Sequence, residues 1–192
     1  MLLSAFLSHN LSGRREKRRS RSLVATCLES LYVQSPAIEF YFSLLSGLSE
    51  GASWTQATLP VLFGYSDRTK PFDVPFDRVR DNILNLNLDL ADMILVLELR
   101  VRQINGFLKE DTQFFSNQSK TNHDEILRNL ESNRRSNVAI AEYVGLVAST
   151  SKSVRKQLFE NTKKIVVNWS SVEAKAREID MIFLEEAGIQ SE

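Results

Sequence analysis

The chain holds 192 residues, 43% of them hydrophobic and 25% charged, a globular balance that excludes wholesale disorder and collagen-like repeats. Its single cysteine, Cys27, excludes an internal disulfide framework. Net charge is zero, from 24 basic and 24 acidic residues, so no protein-wide basic field draws in nucleic acid or anionic lipid.

The charge is unevenly placed, however. Residues 14–21 read Arg-Arg-Glu-Lys-Arg-Arg-Ser-Arg, six basic side chains and one acid, a local charge of +5 that leaves −5 on the rest. The apolar run before it, Leu2 to Leu7, is too short for a secretory core and has its cations after it instead of before, so no cleaved leader is expected. No window holds the roughly 18 consecutive apolar residues of a membrane span, and a soluble chain is expected. An apolar run ending in dense Arg and Lys is nevertheless how the cytoplasmic exit of a membrane helix looks.

The first predicted helix covers about Leu11 to Val33, with Leu23, Cys27 and Leu31 at i, i+4 and i+8 and Val24 and Leu28 beside them. Cations at a helix N-terminus oppose the macrodipole, a conflict that disappears if the helix begins near Leu2. Pro36 is expected to end or kink it, with Ala37 to Leu48 as a second, mostly buried piece. Ser49 to Pro75 is rich in Gly, Ser, Thr and Pro and carries Trp54, Phe63, Tyr65 and Phe72. It reads as a long connection packed by its rings, with a short helix near Ser53 to Phe63. A second short helix is expected from Asp77 to Asn85.

Residues 85–102 alternate like a strand at Asn85-Leu86-Asn87-Leu88-Asp89-Leu90 and at Glu98-Leu99-Arg100-Val101-Arg102. Leu86, Leu90, Met93, Leu97, Val101, Ile104 and Leu108 also follow a 3/4 spacing, which predicts a long buried helix from about Asp89 to Phe115. Asn122 with Glu125 predicts a capped helix start, followed by Ile126, Leu130, Ile140, Val144 and Val147. Asn133, Arg134, Arg135 and Asn137 interrupt that stripe, and exposure there is favoured over a buried polar layer or an anion pocket. A turn is expected at Ser149 to Ser153, then a helix whose seam runs through Leu158, Thr162, Ile165, Trp169, Val172, Ala176, Ile179 and Phe183. The expected fold is all-α: a bundle of five to seven helices with a C-terminal antiparallel helical hairpin. It divides into a basic N-terminal segment (1–22), a helical core with a long connection near 49–75 (23–120) and the hairpin (121–192).

Chemistry-bearing patterns are sparse. His9 and His123 stand apart from one another and from Cys27, and Asp124 and Glu125 beside His123 are an acidic first turn, so no metal site is expected. Ser149-Thr-Ser-Lys152 and Ser153-Val-Arg-Lys156 match Ser-x-x-Lys, but no Ser-Asp-Asn or Lys-Thr-Gly accompanies them. Phosphate-loop and nucleophile-elbow motifs are missing as well. The Asn-x-Ser sequons at Asn10, Asn117 and Asn168 carry no information without a secretory route. The expectation is a protein that is not an enzyme, with no catalytic residue and no cofactor.

Residues 2–23, Phe76-Asp-Arg-Val-Arg-Asp-Asn-Ile-Leu-Asn-Leu and the stretch from Leu90 to Asn105 together resemble the cytoplasmic helical domains of small bacterial membrane-anchored proteins. That resemblance covers about residues 1–110 at the level of pattern. It implies an all-helical domain beside a membrane and no known activity. The expected function is an interaction or regulatory domain at the cytoplasmic face of a bacterial membrane. Its anionic-surface contacts would be Arg14, Arg15, Lys17, Arg18, Arg19 and Arg21. A partner protein, or a second copy, would use the seam of Leu158, Ile165, Trp169, Val172, Ile179 and Phe183. One alternative is a soluble scaffold subunit of a multi-protein complex of phage or defence type. The other, nucleic-acid binding through the Arg-rich helix, lacks interleaved aromatics and a recognisable module.

Overall fold

The computed structural model describes residues 2–47, 54–83, 88–117, 122–160 and 169–186. Among them are seven helices and no strand, the expected all-α architecture: α1 (Leu2–Leu45), α2 (Leu59–Ser66), α3 (Phe76–Ile83), α4 (Leu88–Asn117), α5 (His123–Ser132), α6 (Arg134–Phe159) and α7 (Trp169–Glu186).

Helix α1 forms the spine, and α6 is its main partner. Leu28, Leu31, Ile38, Tyr41, Phe42 and Leu45 of α1 are essentially inaccessible, as are Tyr143, Val144, Val147 and Val154 of α6. The two run antiparallel: Glu39 lies against Gly145, and ten residues back along α1 Glu29 pairs with Arg155, ten residues further along α6. At Gly145 a β-carbon would come within 3.1 Å of the Glu39 carboxylate, which marks how closely the helices approach. Around this pair α3 and α2 pack on α1, α4 bridges α2, α3 and α6, and α7 folds back on α6.

Of the two outcomes expected at Pro36, an end or a kink, the end does not occur; α1 passes through the proline. The proline costs a backbone hydrogen bond and crowds the preceding turn, about 3 kcal/mol in a helix interior. Here it is exposed, while Leu31 and Ile38, seven residues apart on the other face, are buried. Burial on both sides offsets the local loss. The helix stops at Gly47, whose φ of 113° only glycine adopts without strain and whose N–H bonds back to the Leu44 carbonyl.

Among the described residues the long connection holds one helix, which begins at Leu59; Ser53, where the expected helix started, lies outside them. Its rings do pack: Phe72 is buried and Phe63 meets Phe115 edge to face. Two side-chain amides fix the following segment. Asn105 of α4 accepts from the Phe72 N–H (2.8 Å) and donates to its carbonyl (3.1 Å). Gln34 of α1 does the same at Asp73, at 2.8 and 3.0 Å.

Helix α4 replaces the strand alternative. Leu90, Met93, Ile94, Leu97, Val101, Ile104 and Leu108 are buried, whereas Leu95 and Leu99 are exposed. Buried Glu98 on the same helix accepts from Arg80 of α3 and from Arg102, each at 2.6 Å, so the carboxylate inside the bundle is twice compensated.

The C-terminal third departs most from expectation. The Asn122 side chain makes no capping hydrogen bond to the α5 backbone; its backbone carbonyl accepts from the Ile126 N–H (3.3 Å), and its side-chain amide donates to the Glu125 carboxylate. The polar interruption at Asn133 is a helix break between α5 and α6; Arg134 and Arg135 are exposed and Asn137 is buried. No turn occurs at Ser149 to Ser153, where α6 continues to Phe159. Ser149 and Ser151 donate to the carbonyls of Leu146 (3.0 Å) and Val147 (2.8 Å), so these hydroxyls are satisfied within the helix they were expected to break. The seam therefore lies on two helices, Leu158 on α6 and Val172, Ala176 and Ile179 on α7, and the hairpin is that of α6 with α7.

Candidate anionic-surface interface

Helix α1 is longer than the bundle it supports. Ser12, Arg14, Arg15, Glu16, Lys17, Arg18 and Arg19 are all exposed, and Arg21 and Ser22 likewise. A helix lying on another surface buries a residue every three or four positions. None is buried between Ser12 and Arg19, so over two turns the helix stands clear of the body on every side. Burial begins at Ser20 and continues through Val24, Cys27 with Leu28 beside it, and Leu31, at spacings of three and four. From Ser20 back to Ser12 this stem measures about 12 Å at 1.5 Å per residue.

The helical form solves the dipole problem raised by the cluster. Starting at Leu2, α1 places Arg14 more than three turns from its N-terminus, beyond the reach of the unfavourable end charge. Five basic side chains, Arg14, Arg15, Lys17, Arg18 and Arg19, thus radiate from the stem with Glu16 the one acid among them. The sequence of the stem beyond them, Leu2 to Leu7, is apolar. Among the described residues no helix is long and apolar enough to cross a membrane.

The seam residues are dispersed. Leu158, Val172 and Ile179 are buried within the chain, which leaves no free face at those positions. Phe183 is at the surface, stacked on Phe107 of α4 with ring centroids 5.1 Å apart, and Ile182 takes the buried place beside it. Ile165 and the side chain of Trp169 lie outside the described residues.

Two buried groups bear on chemistry. Cys27 is fully enclosed, and burial, with Glu98 nearby, pushes its thiol up to about 12, so it packs as a small hydrophobe and not as a nucleophile. Among the described residues no three His, Cys, Asp or Glu side chains are placed to share a metal ion.

A second basic feature was not anticipated. Ser149, Lys152, Ser153 and Lys156, the four residues of the two Ser-x-x-Lys matches, line one groove of about 700 Å³ with Arg155, Phe159 and Glu160 of the same end of α6 and Tyr32 of α1. In an uninterrupted helix, spacings of three and four put all four on one face. The clue was present in the sequence, but the presumed turn hid it. No family model, curated protein or solved structure matches this chain.

Proposed function

We propose that the protein is a non-enzymatic interaction or regulatory domain that docks on an anionic membrane surface through the basic stem of α1, at the cytoplasmic face of a bacterial membrane. The observation that carries it is the exposure of Arg14, Arg15, Lys17, Arg18 and Arg19 on a stretch of helix with no buried residue. An isolated array of like charges is locally unfavourable, and anionic headgroups supply the missing counter-charge at about 1 kcal/mol per basic residue. The apolar sequence of Leu2 to Leu7 on the same stem suits insertion among headgroups.

The test is sedimentation with vesicles of phosphatidylcholine alone or mixed with phosphatidylserine. The wild-type chain is expected to bind only the mixed vesicles and to release them as salt rises. Changing Arg14, Arg15, Lys17, Arg18, Arg19 and Arg21 to Gln weakens binding at least about tenfold while leaving the helical circular dichroism intact. Unchanged binding by that variant, or a preference for duplex DNA over the mixed vesicles, overturns the proposal.

A further inference from the structure

We propose that the groove between the C-terminal half of α6 and α1 is a phosphate-ester site, distinct from the stem. Lys152, Arg155 and Lys156 converge there with Ser153 and Tyr32. Arg155 is held in place: its guanidinium pairs with Glu29 at 3.2 Å and lies over the Phe159 ring, 5.2 Å from the centroid. Its Nε is buried without a partner, so the Arg155 side chain acts as a fixed positive charge beside the groove. Ser153 accepts a hydrogen bond from Gln157 at 3.1 Å, which leaves its own proton free to donate outward. Ser149 is already committed to the Leu146 carbonyl and serves as wall only.

The charges leave room for an anion. Arg155 is compensated by Glu29, and Lys156 touches Glu160 loosely, at 3.7 Å between two exposed side chains. Lys152 pairs with no carboxylate among the described residues, so the groove carries one positive charge in excess. A phosphate offers several acceptor oxygens to these clustered donors, and charge-assisted hydrogen bonds are about twice as strong as neutral ones. A carboxylate would satisfy fewer of them. Because α1 and α6 are antiparallel, the C-terminal half of α6 lies alongside the part of α1 nearest the stem. The phosphate could therefore be that of a lipid headgroup or of a free ester, and the two arms of the test separate these sources.

In the first arm the full chain is titrated with glycerol 1-phosphate and followed by amide chemical shifts. Shifts confined to residues around Ser149 to Glu160 and Tyr32 are expected, and Lys152→Gln with Lys156→Gln weakens the apparent affinity about tenfold. Both lysines are exposed, so that variant folds. The control is Lys109→Gln with Arg134→Gln, two exposed cations elsewhere, which is expected to change nothing. In the second arm vesicles containing phosphatidic acid are compared with phosphatidylserine vesicles of matched charge. A preference for phosphatidic acid that the groove variant abolishes identifies the headgroup as the source; glycerol phosphate binding without that preference identifies a free ester. Absence of glycerol phosphate binding, or equal losses in the groove and control variants, overturns the site. Because the stem variant is expected to retain glycerol phosphate binding, failure of the groove and failure of the docking stem are read separately.

Discussion

Asp111 of α4 is half-buried, and burial, with Glu110 next to it, raises its carboxyl to about 7, while Tyr41 of α1 faces it and is itself pushed upward. An acid whose folded-state value is raised is protonated in both states at low pH. As pH climbs from about 4, the unfolded chain releases its proton first, so the native state loses relative stability until about 7 and then levels off. Asp111→Asn keeps the site neutral. Its stability advantage over wild type, measured by urea denaturation, is therefore expected to grow between pH 4 and 7 and stay flat above; allowing for partial contact with water, the gain is about 1–2 kcal/mol. A constant difference across that range would show that Asp111 reaches water freely. At this scale the basic stem was legible because its residues are consecutive. The groove was not, because Tyr32 and Arg155 are brought together only by the pairing of two helices far apart in the chain.

Elements were legible where periodicity and packing agree. In α4 the 3/4 set from Leu90 on is the buried set, with Leu86 outside the described residues, and the strand-like alternation at Glu98 to Arg102 fails because Leu99 is exposed while Val101, two residues on, is buried. They were misread where local chemistry argues one way and burial the other. Ser149 to Ser153 looked like a turn because Ser and Thr compete for backbone hydrogen bonds. In α6 Thr150 and Ser151 are buried, and their small size admits neighbouring helices. Pro36 is the same conflict inside α1. Since it is exposed and interrupts a helix that packing maintains, Pro36→Ala restores the missing donor and is expected to raise stability by about 1–3 kcal/mol. A loss of stability would show that the core depends on a local distortion imposed by the proline.

For the whole molecule, the all-α bundle followed from composition and helical periodicity, whereas its central pairing did not. The seam suggested that α6 and α7 were each other's chief partners, but α6 serves α1 first. The same arrangement makes the stem the one stretch of described helix with no buried residue over two turns. Limited trypsin digestion is expected to cut first between Arg14 and Arg21 and to leave a fragment whose helical signal per residue matches the intact chain. Early cuts in α4 or α6 would instead place the weakest region inside the bundle. Because α1 is one rod of 44 residues, about 66 Å long, its protruding end and its embedded end cannot be aimed separately. Whatever grips the tip also sets the height and attitude at which the remaining helices are carried.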